Sequence, residues 1–207
     1  HSFPTRRSSD LKLIAARDGL VTKNGRQLAL LALSDMHQSA YAADVRLAGS
    51  APLKVLSWVP GVSRQVNGLL DGAADVDVVS GEGEKLVKAA SACADASHGN
   101  YVDLPTLKVL ADQVRLSRDA LQGRVRSASG LIGPIHKARV SLNEQLSVLN
   151  GLLNDGTHAL TFAQSFLGAD GPRTYFVAGL NNSEMRDQGA GLSGALLHVN
   201  HGVFTMS

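Results

Sequence analysis

The chain has little of what most catalytic or nucleic-acid-binding domains need. It has one cysteine, so an internal disulfide and any site built on a pair of thiolates are excluded. Its net charge is only +2, and the charges are scattered, which removes the electrostatic case for nucleic acid. Aromatic residues make up 4% of the chain against 44% hydrophobic residues, mostly Ala, Leu and Val, a mixture suited to slender helix packing. No apolar run in Lys12–Ser207 reaches the roughly 18 residues that a spanning helix requires.

The first eleven residues, HSFPTRRSSDL, read as a translated sequencing adapter and are set aside as non-native (1–11). They carry two arginines and one aspartate, a net +1, which leaves +1 for the rest. The last residues, Gly202 to Ser207, begin a strand that has no following partner in the sequence. Both natural termini are therefore expected to lie outside this chain.

What is present is helix. Gln27–Ala48 contains helix formers without an internal glycine or proline. An earlier apolar stretch, Leu11–Val21, is cut off by the Lys23-Asn24-Gly25 turn signal. Ala51–Gly61, with two prolines and the only tryptophan, reads as a corner between helices with Trp58 packed as its anchor. Ser63–Ala96 has helical spacing, but Gly81 and Gly83 predict a break or bend, with Glu82 and Glu84 as solvated charges. Cys93, among alanines, is expected to be an inert packing residue.

The clearest pattern follows Asp103-Leu104-Pro105, an N-cap followed by a first-turn proline. Leu107, Leu110, Val114, Ser117, Leu121, Val125, Ala128, Ile132 and Ile135 form a nearly continuous stripe, which Gly133-Pro134 should kink before Leu142, Leu146, Leu149 and Leu153 resume it. A straight helix from Pro105 to Phe166 would be on the order of 90 Å long, so folding back is expected. The stripe is read as core packing in an antiparallel bundle rather than as a dedicated partner-binding face.

After Leu167 the character changes. A Gly/Pro turn cluster leads to Thr174–Leu180, a buried-strand pattern, then to Leu192–Val199 and a turn at Asn200-His201-Gly202 into a third strand. The fold class expected is mainly α with a small C-terminal β part: long antiparallel helices, bundle or stalk, over 12–166, followed by the start of a truncated α/β or α+β domain over 167–207.

Between the first two strands lies a polar segment, Asn181-Asn182-Ser183-Glu184-Met185-Arg186, and then Gly189-Ala190-Gly191. With Arg186 and exposed backbone N–H groups at a sheet edge, Asn181, Asn182, Glu184, Arg186, Gly189 and Gly191 form a candidate ligand site suited to an anion. The competing reading is that these residues brace their own turn. Ser183 has no His or Asp near it in sequence, and no catalytic residue, cofactor or metal site is assigned. His37, His136, His158, His198 and His201 share no spacing, and solvent exposure or a structural role is expected of them.

The segment LGADGPRTYFVAGLNNSEMRDQGAGLSGALLHVNHG, Leu167 to Gly202, resembles the start of the bacterial family known as domain of unknown function 4012. The resemblance is carried by Leu167-Gly168, Tyr175, Asn181, Asn182, Glu184 and Arg186, and more loosely by the Pro60-Gly61 corner and the preceding Ala/Leu-rich helices. Gly189-Ala190-Gly191-Leu192-Ser193-Gly194 stands where that family usually has adjacent glycines. The resemblance implies a cell-envelope protein on the extracytoplasmic side of the cell membrane, anchored by a helix upstream of Lys12. Its partners would be the membrane and a cell-wall polymer or envelope protein. An alternative is an envelope glycopolymer transferase similar in layout to the LytR-CpsA-Psr enzymes, with Arg186 on phosphate. A third reading is a coiled-coil adaptor acting through Leu107 to Ile135.

Overall fold

The computed structural model describes residues 22–50, 58, 62–180 and 191–207. It is mainly α with a small C-terminal sheet. Four helices are described: α1 (Lys23–Gly49), α2 (Val62–Ala96), α3 (Leu104–Leu121) and α4 (Gly133–Phe166). Three antiparallel strands follow in the order β1 (Arg173–Leu180), β2 (Gly191–Asn200) and β3 (Val203–Met206). The expected apolar stretch Leu11–Val21 and the corner residues other than Trp58 lie outside the described residues. None of the described helices is long and apolar enough to cross a membrane.

α2 is the spine, packing against α1 on one side and the α3–α4 hairpin on the other. It runs unbroken through Gly81 and Gly83, contrary to the expected bend. The reason is tertiary. A Cβ at Gly81 would lie 3.4 Å from the His37 ring, and one at Gly83 would lie 3.1 Å from Leu33, so the two glycines let α1 approach closely. The contact offsets a propensity cost of about 1 kcal/mol per glycine.

α3 begins as its sequence predicts: the Asp103 carboxylate accepts from the Thr106 N–H at 3.0 Å, with Pro105 in the first turn. The stripe then ends early. α3 stops at Leu121, and Gly123 and Gly130, at φ 78° and 77°, turn the chain through a loop. Val125 and Ile132 are exposed rather than packed. Gly133-Pro134 opens α4 instead of kinking a continuing helix, a position where proline's missing N–H costs nothing. Val114 and Leu121 of α3 meet Leu146 and Leu153 of α4 in one core, as antiparallel packing of the stripe requires.

A second core joins the helices to the sheet: Cys93, Leu107 and Leu167 are buried together, with Phe204 against them. Cys93 is thus a packing residue, as expected. Val199 is fully buried, and Tyr175 stacks on Phe166 at 4.6 Å. The α2–α3 connection also pairs with the sheet edge, because the Val102 N–H donates to the Gly202 carbonyl and the Phe204 N–H donates to that of Asn100, both at 2.8 Å.

Trp58 is 88% exposed and is not the packed anchor expected of it. Among the described residues, Leu131 and Ile135 close on this end of α2: Leu131 Cδ2 would lie 2.6 Å, and Ile135 Cγ2 3.5 Å, from a Cβ on Gly68.

Candidate anion-binding cleft

On α4 the apolar positions Ile135, Leu142 and Leu146 leave a gap filled by Arg139. On α2, Asp75 stands in step with Val79 and Leu86, with Glu82 between them. Charges in these positions must be buried, and they are: Asp75 is 0% exposed and Arg139 3%. Arg139 Nη1 donates to Asp75 Oδ2 at 2.7 Å and its Nη2 donates to the Arg124 carbonyl at 2.8 Å. Arg124 Nη1 donates to Asp75 Oδ1 at 3.0 Å, while Arg124 Nε donates to the Ala120 carbonyl. Two guanidinium groups thus enclose one carboxylate, in the geometry a buried charge requires.

The α3–α4 loop is held over this network from both sides. Gln65 of α2 donates through Nε2 to the Gly130 carbonyl at 2.8 Å and accepts from the Ile132 N–H at 3.1 Å. Asn143 of α4 does the same for Arg126, accepting from its N–H and donating to its carbonyl. Between loop and α2 is a polar cavity of about 280 Å³, lined by Arg64, Asn67, Asp71, Arg126, Ser127 and Arg139 among others.

Arg126 Nη1 lies 2.5 Å from Asp71 Oδ1, and its Nη2 lies 3.7 Å from Asp75. Arg64 lies over Gly130 and forms no ion pair among the described residues. Arg64, Arg126 and Arg139 line the cavity with Asp71 as the one carboxylate among its lining residues, while Arg124, Arg126 and Arg139 surround Asp75 beside it. The buried Arg139 Nε has no hydrogen-bond partner. An excess of guanidinium donors, one of them unsatisfied, suits a phosphate or carboxylate.

Asn181, Asn182, Glu184, Arg186 and Gly189 lie outside the described residues. Gly191 is the first residue of β2, opposite Leu180, where the β1–β2 register shifts.

Glu82 is not a solvated charge in a helix break. Its side chain is 12% exposed and its Oε2 accepts from Ser117 Oγ at 2.8 Å and from Gln113 Nε2 at 3.1 Å. Burial pushes the Glu82 carboxyl up, but hydrogen bonds from Lys85, Ser117 and Gln113, with the Lys85 charge, hold it below the ordinary carboxylate range. Glu84 is lowered mainly by Lys88, its partner one turn on. The Asp103 carboxyl is lowered first by the Thr106 N–H, then by the Tyr101 hydroxyl, whose own proton is held more tightly in consequence.

His37 is half-buried rather than exposed, with Nδ1 3.1 Å from the Asp77 carboxylate. His136, His158, His198 and His201 are exposed. No three His, Cys, Asp or Glu side chains cluster in a metal-binding arrangement among the described residues. Compared with known proteins, the chain matches no family model, no curated sequence and no solved structure.

Proposed function

We propose that this chain is a binding module of a bacterial cell envelope, working on the extracytoplasmic side, whose helices hold a cleft for an anionic ligand. The envelope part rests on the resemblance of the Leu167–Gly202 segment alone; a membrane anchor and a cell-wall or envelope-protein partner are what that resemblance implies. The binding part rests on one observation: the polar cavity is lined by three arginines, Arg64, Arg126 and Arg139, against one carboxylate, Asp71, and Arg64 has no ion pair among the described residues. A binding rather than catalytic task is favoured by where the shifted carboxyls sit. Asp103 caps α3, Glu82 bridges α2 to α3, and Glu84 pairs along α2, so each has a structural duty.

Calorimetric titration of the chain with inorganic phosphate tests the site. Binding that weakens about tenfold in R64Q, the scale of one charge-assisted contact, supports the reading. Absent binding, or binding indifferent to R64Q, contradicts it. External protease applied to intact cells producing the native protein tests the location, since degradation is expected and complete protection would overturn it.

A further inference from the structure

Beside the polar cavity lies a second one of about 380 Å³, bounded by α1, α2 and α4 and apolar nearly throughout. Ala40 and Leu47 of α1, Gly72 and Val76 of α2, and Ile135 and Leu142 of α4 form its walls. Small residues on α1 and α2 keep it open: a Cβ placed on Gly72 meets nothing within 4 Å. The two cavities share Gly68 and Arg139, so Arg139 borders both chambers. The apolar volume lies within, and the polar one just under, the ~300–1,000 Å³ typical of small-ligand sites.

We infer that the adjoining cavities form one site for an amphiphile with an anionic head: a single alkyl or acyl chain in the apolar chamber and a phosphate or carboxylate in the polar one. Three observations carry this. The apolar chamber presents no charged group except Arg139 at its boundary. The polar chamber has more guanidinium groups than carboxylates, so charge complementarity selects an anion over a neutral or cationic head. The residue that both chambers share, Arg139, carries a buried donor, Nε, without a hydrogen-bond partner.

The inference rests on the anion site proposed above and adds the chain to it. The shared chemistry is the oxyanion, which a free phosphate supplies as well as an amphiphile's head, and the apolar chamber is what distinguishes the two.

The test titrates the full chain by calorimetry with decyl phosphate below its aggregation threshold, with inorganic phosphate and with decanol. Decyl phosphate is expected to bind at least about tenfold more tightly than either of the others, because only it engages both chambers. Two variants separate the parts. R64Q is expected to weaken decyl phosphate and phosphate by similar factors. G72L, which places a side chain in the open apolar space at a helical position, is expected to reduce decyl phosphate to the affinity of phosphate and leave phosphate unchanged. Circular dichroism of each variant verifies the fold, and Gly72→Ala, with better helix propensity and little added volume, serves as the folded control. If decyl phosphate binds no more tightly than phosphate, or G72L binds it like the parent, the amphiphile assignment falls while the anion site stands. If decanol binds as well as decyl phosphate and phosphate does not bind, both fall.

Discussion

Asp75 and Arg139, 64 positions apart, meet at 2.7 Å in the centre of the helical bundle, one fully buried and the other 3% exposed. The pair ties α2 to α4, and through Arg124 it also fixes the loop that forms the roof of the cleft.

Removing one partner leaves the other charged and dry. Asp75→Ala is expected to lower stability by about 3–5 kcal/mol, the usual cost of breaking a buried pair, and to loosen the 122–132 loop. Replacing the pair together, with Asp75→Leu and Arg139→Met, should recover much of the loss, because no buried charge is then stranded between those two positions. Urea denaturation of the three proteins measures this. A single variant within about 0.5 kcal/mol of the parent, the range of ordinary surface changes, would refute the role given to the pair.

Glu82 gives a pH-dependent prediction. Its carboxyl is held below the ordinary 4.5 in the folded state, so its contribution is fully present above that value and is lost as pH falls through the folded one. Glu82→Gln is expected to cost about 1–2 kcal/mol at neutral pH through the weakened bonds to Ser117 and Lys85. The gap between the two proteins should stay constant from neutral pH down toward 5 and narrow below about 4.5. A gap independent of pH down to acid unfolding would show that the carboxylate is not what bridges α2 and α3.

The sheet depends on Gly202. It sits at φ 81°, and a Cβ there would collide with the Val102 carbonyl that ends the α2–α3 connection. Gly202→Ala should cost about 1–3 kcal/mol from left-handed strain alone, with more from the displaced carbonyl. Hydrogen exchange is expected to accelerate in β2 and β3 before it changes in α4. Unchanged protection across the strands would contradict the docking described.

Much of this architecture was readable from local chemistry. Asp103 with Pro105 announced the start of α3, and the β-branched and aromatic residues of Thr174–Leu180 and the Leu192–Val199 run marked strands that form, although Phe176 and Val177 are exposed where a buried strand is expected. What failed depended on partners far away in sequence. Gly81 and Gly83 look like breakers until Leu33 and His37 are laid against them. Glu82 looks solvated until Ser117, 35 residues later, reaches it. The cleft was missed because Arg64, Arg124, Arg126 and Arg139 have no mutual spacing, although one signal was available: Arg139 occupies an apolar stripe position between Ile135 and Leu142. A lone charge on a buried face asks for a counter-charge, and Asp75, equally out of place on α2, is the match. The Gly133-Pro134 pair looks like a kink because the stripe continues in sequence through Val125 and Ile132, both of which the loop leaves exposed.

Anion binding in the polar cavity between α2 and the α3–α4 loop is the proposed task of this fold. A two-dimensional amide NMR titration of the chain with inorganic phosphate tests it most directly. Saturable shifts are expected at Ser63, Arg64, Asn67, Arg126, Ser127 and Ser129, which line the cleft, with the amides of α1 and of the strands unmoved. Shifts scattered over the surface, or none at millimolar phosphate, would contradict it.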